Sequence, residues 1–83
     1  MPILLTVKLF STLREVVGAD HLTIELDRER TVAEVLVAVC AGRPELEPLV
    51  PSALVALNEE WTSRDAVVHR GDVLALMPPV SGG

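Results

Sequence analysis

The sequence is poor in the residues that most side-chain chemistry needs. It has one cysteine, Cys40, two histidines, His21 and His69, and two aromatics, Phe10 and Trp61. A single thiol cannot close an internal disulfide, which argues against a disulfide-stapled secreted module. One Cys and two scattered His form no metal-ligand cluster, so no metal is expected. No Ser/His/Asp or Cys/His arrangement is signalled by spacing. A long apolar run is missing too: residues 32–41 are interrupted by Glu34 and stop at Gly42-Arg43-Pro44, short of the roughly 20 residues a membrane span needs. Met1-Pro2 leads into apolar residues without a basic leader or a small-residue cleavage site, so a cytoplasmic chain is expected. Positive charge is scarce, with seven Lys and Arg against twelve Asp and Glu and a net charge of −5. Residues 31–83 hold seven of the acids and three of the bases. The clustered Lys and Arg of a phosphate-binding footprint are absent, and an acidic surface suits a basic protein partner.

What remains is well patterned. Eighty-three residues, 49% of them apolar, make one small globular domain with a modest core. Ile3, Leu5, Val7 and Leu9 alternate with Leu4, Thr6, Lys8 and Phe10, the signature of a strand with a core side. Leu13, Val16 and Val17 follow at helical spacing, and Gly18 suits a left-handed close to that short helix. Residues 22–26 alternate again as a second strand. Thr31-Val32-Ala33-Glu34 fits a capping box, in which the threonine hydroxyl and the glutamate carboxylate satisfy each other's backbone amides. Val32, Val35, Leu36, Val39 and Cys40 then form one apolar stripe. Cys40 on that stripe reads as a core thiol with a raised pKa rather than a nucleophile. After a proline-punctuated connection, residues 53–57 read as a strand, Asn58-Glu59-Glu60 as a turn delivering Trp61, and residues 66–68 as a brief extended piece. Gly71-Asp72 turns the chain into a last strand, residues 73–77, whose unbroken apolar run suits a central position. Arg70-Gly71-Asp72 and Glu59-Glu60 read as turn residues, and His21 and His69 as solvated ones. The expected class is α+β: a β-grasp arrangement, a mixed sheet of four to five strands with one main helix across one face.

The end of the sequence, Pro78-Pro79-Val80-Ser81-Gly82-Gly83, has a different logic. Two prolines fix φ and remove two amide donors, so the chain leaves the sheet as an extended stem. Six residues reach at most roughly 20 Å. Val80 offers one apolar contact, Ser81 one polar contact, and Gly82 and Gly83 can thread a narrow tunnel. The bland alternative is a frayed terminus. On the functional reading, residues 1–77 are a globular unit, residues 78–83 are its tail, and the main-chain carboxylate of Gly83 is the reactive group. A carboxylate reacts only once its oxygen becomes a leaving group, as in an acyl adenylate that a sulfur nucleophile then displaces.

At this point the sequence resembles the sulfur-carrying small subunits of molybdopterin synthase, the MoaD family, which have the ubiquitin-like β-grasp fold. The resemblance spans essentially the whole chain. It rests on Phe10-Ser11-Thr12-Leu13-Arg14-Glu15, Thr31 to Glu34, Ala56-Leu57-Asn58-Glu59-Glu60, Gly71-Asp72-Val73 and the Pro78 to Gly83 tail. It implies that an E1-like enzyme adenylates Gly83 with ATP and that sulfur is installed as a thiocarboxylate. The tail then enters the large synthase subunit and gives sulfur to cyclic pyranopterin monophosphate. It also implies that this chain holds no cofactor of its own and that catalytic side chains belong to its partners.

In that family's fold the first and last strands are parallel neighbours, which would bring Phe10 and Met77 together at the root of the tail. Phe10, Trp61 and Met77 are therefore expected to form an exposed apolar patch for the partner, with Leu13 and Arg14 as further contacts. The alternative is that Phe10 and Trp61 fill the core, or that Arg14 only pairs with a surface acid. The thiazole-pathway sulfur carriers share the fold and the Gly-Gly end but generally lack the F-x-x-L-R-E stretch. A ubiquitin-like modifier joined to lysines through Gly83 is the reading from a different class, and a plain interaction module is a third.

Overall fold

The computed structural model describes residues 2–79. Strand β1 (Ile3–Leu9) is followed by helix α1 (Thr12–Val17) and strand β2 (His21–Leu26). A two-residue strand β3 (Arg30–Thr31) leads into helix α2 (Val32–Gly42). Two single 3-10 turns, Pro44–Leu46 and Val50–Ser52, carry the chain to β4 (Leu54–Leu57), β5 (Glu60–Trp61), β6 (Val67–Val68) and β7 (Val73–Met77). Five strands form a mixed sheet in the order β2-β1-β7-β4-β5, and β3 pairs with β6 in a separate two-stranded sheet. This is the β-grasp arrangement expected from the pattern, and β7 is central as its unbroken apolar run suggests.

The alternation in β1 produces one buried face. Ile3, Leu5, Val7 and Leu9 are all at most 6% exposed, while Leu4 is 60% exposed. Helix α2 lies on the buried face because Val32, Val35, Leu36 and Val39 recur on one stripe and are buried against Leu74 and Leu76 of the same core. Burying a side chain of this size contributes about 1.5–3 kcal/mol. The helix starts where its capping box forms: the Glu34 amide donates to Thr31 Oγ1 at 3.2 Å and the Thr31 amide donates to Glu34 Oε1 at 2.9 Å. The Thr31 amide, with the Thr31 hydroxyl also donating to Glu34 Oε1 at 3.1 Å, holds the Glu34 carboxyl below the usual carboxylate range.

Several features have no sequence signature. The brief extended piece at residues 66–68 becomes β6, and its partner β3 is too short to show a period. Arg64 ties the connection after α2 together by donating to the carbonyl oxygens of Val50 at 3.1 Å and Ala53 at 3.0 Å. In α1, Leu13 and Val17 turn inward as expected, but Val16 is 40% exposed. Among the described residues, no helix is long and apolar enough to cross a membrane.

Candidate functional site

The outer face of the sheet, opposite α2, carries the site. The parallel register of β1 and β7 places Lys8 beside Ala75 and Leu9 beside Leu76. The antiparallel registers continue the row: Ala75 faces Ala56, and Ala56 faces Trp61. The row is thus Lys8, Ala75, Ala56, Trp61, with two small residues at its centre. Next to it Met77 faces Leu54, and Phe10, whose amide donates to the Leu76 carbonyl at 3.2 Å, stands on the other side of Met77. Alanines in the middle and large residues at the ends make a groove of about 480 Å³, lined by Phe10, Ala75, Met77, Trp61 and their neighbours. Trp61 is 68% exposed and Phe10 42%, and Met77 is half-buried. The structure therefore brings Phe10, Trp61 and Met77 together on one exposed face, and Trp61 is not a core residue.

Two tight turns aim these side chains. Phe10 leaves β1 through a turn closed by the Leu13 amide donating to the Phe10 carbonyl at 3.2 Å. Ser11 at its second position has φ 53° and ψ −127°, values of a type II′ turn that glycine adopts most easily. This turn throws Phe10 outward and drives Leu13 into the core at 1% exposure. Leu13 is thus corrected from a partner contact to a packing residue: it holds α1 on the sheet and presents no surface to a partner. Arg14, one residue on, is exposed. It lines a shallow depression with Lys8, Phe10, Asp20 and His21, so the site has a basic flank beside Phe10. The flank beyond Trp61 carries Glu59 and Glu60 instead.

Trp61 is aimed by the hairpin between β4 and β5, where Asn58 and Glu59 both have positive φ, 52° and 70°, as a type I′ turn requires. Asn58 anchors the turn to the start of β7. Its Oδ1 accepts the Val73 amide at 2.9 Å, its Nδ2 donates to Asp72 Oδ1 at 3.0 Å, and its own amide donates to the Val73 carbonyl at 2.8 Å. Asp72 Oδ2 in turn accepts the His69 amide at 2.7 Å. The Asn58 bond is the largest reason that the Asp72 carboxyl titrates below its ordinary range, with the His69 amide adding to it. Residue-by-residue reading misses this lock. The only sequence signal is an Asn and an Asp in two turns flanking different strands, and nothing local says that they meet.

The other candidates lie apart from the groove. Burial, helped by Glu47, raises the Cys40 pKa, and Cys40 faces the helix side rather than the outer face of the sheet. His21 bonds Asp20 through Nδ1 at 2.7 Å. His69 lies 3.4 Å from Glu29 and 3.7 Å from Asp72. No described groups of three or more His, Cys, Asp or Glu converge on one point. Pro78 is half-buried and Pro79 exposed immediately after β7, so the tail departs from the Phe10–Met77 end of the groove. Val80, Ser81, Gly82 and Gly83 lie outside the described residues.

Known proteins with the same pattern were found by comparison. A family model described as the ThiS family matches residues 7–83. The chain is 38% identical over 77 residues to the molybdopterin synthase sulfur carrier subunit of Arabidopsis thaliana, covering 93% of this chain and 80% of that one. It is 36% identical over 84 residues to small archaeal modifier protein 1 of Haloferax volcanii, covering 92% and 97%. The crystal structure of SAMP1 from Haloferax volcanii superposes with a TM-score of 0.86 at 34% identity, covering 96% of this chain and 99% of that one. The expected ubiquitin-like β-grasp fold is shared with solved neighbours of this kind. With the family model spanning all but the first six residues, the chain belongs to the ThiS family.

Proposed function

We propose that this protein is the sulfur carrier subunit of a molybdopterin synthase, working in the cytoplasm, and that its reactive group is the main-chain carboxylate of Gly83. The observation that carries the reading is spatial: the exposed apolar groove of Phe10, Met77 and Trp61 ends where the Pro78-Pro79 stem begins. A partner that grips this groove receives the tail beside it. The relative from Arabidopsis thaliana bears the corresponding name, and the word subunit in that name supports a large partner subunit here.

The chemistry then runs in two displacements. A carboxylate oxygen of Gly83 attacks the α-phosphorus of ATP on an E1-like enzyme and pyrophosphate leaves. A sulfide-level nucleophile attacks the acyl carbon and AMP leaves, which yields the thiocarboxylate. That sulfur passes to cyclic pyranopterin monophosphate in the large subunit, and two deliveries build the dithiolene. This chain's side chains bind and orient during these steps; ATP belongs to the activating enzyme. Pro78 and Pro79 give the stem its direction, and Val80, Ser81 and Gly82 are the part that enters the partner.

A second reading is favoured by the likeness to small archaeal modifier protein 1: attachment of Gly83 to lysines of other proteins. Intact-mass measurement after incubation in the source cell's extract with ATP separates the two. Exchange of one oxygen for sulfur on the free protein supports the carrier, and isopeptide adducts on other proteins support the modifier. Deleting Gly83 should abolish molybdopterin formation in a reconstituted synthase; unchanged product would sink the carrier reading.

A further inference from the structure

The five-stranded sheet ends at two strands, β2 and β5. Strand β5 is two residues long, too short to template another strand, and short edges are a usual protection against pairing. Strand β2 runs six residues, His21-Leu22-Thr23-Ile24-Glu25-Leu26, and contains no Pro, Gly or Lys. Its backbone polarity follows from the register. The Leu9 amide donates to the Asp20 carbonyl at 2.9 Å, and the same register sets Val7 opposite Leu22, Leu5 opposite Ile24 and Ile3 opposite Leu26. Antiparallel pairs alternate between those that exchange hydrogen bonds and those that do not. Leu22, Ile24 and Leu26 therefore bond to β1, while His21, Thr23 and Glu25 turn their amides and carbonyls away from the sheet. Among the described residues, no backbone group outside the sheet bonds to these three.

We propose that this edge pairs with β2 of a second copy of the chain, antiparallel, about a two-fold axis at Thr23. The sequence of β2 is complementary to itself in that register. His21 faces the other copy's Glu25 twice over, and Thr23 faces Thr23, all in hydrogen-bonded pairs that match the outward backbone groups. Opposite charges, present here when His21 is protonated, and paired threonines across such positions stabilise an antiparallel ladder. Between them Leu22 and Ile24, both only partly buried in one copy, face one another in the closer, non-hydrogen-bonded pairs. His21 Nδ1 donates to Asp20, and in the protonated imidazole Nε2 is a second donor, which the other copy's Glu25 accepts. An axis normal to the sheet puts both outer grooves on one side and both α2 helices on the other. It also sends the two β7 ends in opposite directions, so both tails stay accessible and the dimer is bivalent for a partner.

Sedimentation equilibrium of the full chain over a rising concentration series tests this directly. The weight-average mass should rise from 8.9 kDa toward twice that value, with the Thr23 and Glu25 amides becoming protected from hydrogen exchange as it does. Thr23→Pro removes an outward donor without touching the bonds to β1 and should leave a folded monomer. Glu25→Lys should weaken association at least tenfold, and adding His21→Glu to it should restore the dimer. A mass that stays at the monomer value at millimolar concentration overturns the proposal. So does association that Glu25→Lys leaves unchanged, a result that does not depend on whether Thr23→Pro folds.

Discussion

At the scale of single residues, Asn58 does the most for the site without lying in the middle of it. It satisfies the first amide of β7 and the Asp72 carboxylate at once, so the turn that aims Trp61 cannot drift from the central strand. Asn58→Ala removes both bonds and should lower stability by about 1–2 kcal/mol, read as a fall in melting temperature, and should move Trp61 fluorescence. The lowered Asp72 pKa gives the pH dependence its sign. A carboxyl depressed by folding contributes stability that is complete above the unfolded pKa of about 3.9 and is lost as pH falls through the folded value. Denaturant midpoints measured from pH 6 downward should therefore fall below about pH 4, with a shallower fall in Asp72→Asn. Ser11 makes the opposite case. Its positive φ belongs to glycine's region, so Ser11→Gly should raise stability by about 0.5–1 kcal/mol, a gain that chemical denaturation resolves. None of these three roles is legible from the sequence. A residue's turn type shows only when the backbone is seen, and the Asn58–Asp72 contact joins positions fourteen apart.

Among the elements, legibility tracks length. The seven-residue alternation of β1 and the capped stripe of α2 announce themselves because several residues repeat one period. Strands β3 and β6, two residues each, carry no period, and their pairing exists only because α2 and the loop after β5 meet. The parallel neighbourhood of β1 and β7 came from the resemblance to a family rather than from either strand, since a strand's pattern states its face and not its partner. Helix α1 shows what a motif alone conceals. Leu13 and Arg14 are adjacent in the same short stretch, yet one is 1% exposed in the core and the other is exposed beside the groove. Leu13→Ala should accordingly lower stability by about 2–4 kcal/mol. Arg14→Ala should leave stability within about 0.5 kcal/mol of wild type and slow association with a partner as salt-screened charge is removed. Paired thermal melts and association rates at two salt concentrations check both outcomes.

For the molecule as a whole, the two faces of one sheet divide the labour. The inner face buries the leucines and valines that hold eighty-odd residues together; the outer face leaves Phe10, Leu54 and Trp61 exposed and Met77 half-buried, along a groove that runs to the root of the tail. Exposed apolar side chains at the outer face contribute little to folding, so truncating them separates binding from stability. If the proposed function holds, Phe10→Ala and Trp61→Ala should each weaken binding to the large synthase subunit by at least about tenfold, since buried aromatic anchors cost 1–4 kcal/mol or more when removed. Both variants should melt within a degree or two of wild type. Because Phe10 stands at the tail end of the groove and Trp61 at the far end, their consequences differ beyond affinity. Losing Trp61 weakens capture alone, so sulfur transfer at saturating partner should proceed at the normal rate. Losing Phe10 also loosens the root from which the stem departs, so single-turnover transfer should slow even when every molecule is bound. Titration calorimetry gives the affinities and rapid-quench transfer from thiocarboxylated protein gives the rates. Equal rates for both variants at saturation would show that the groove docks the partner without steering the tail.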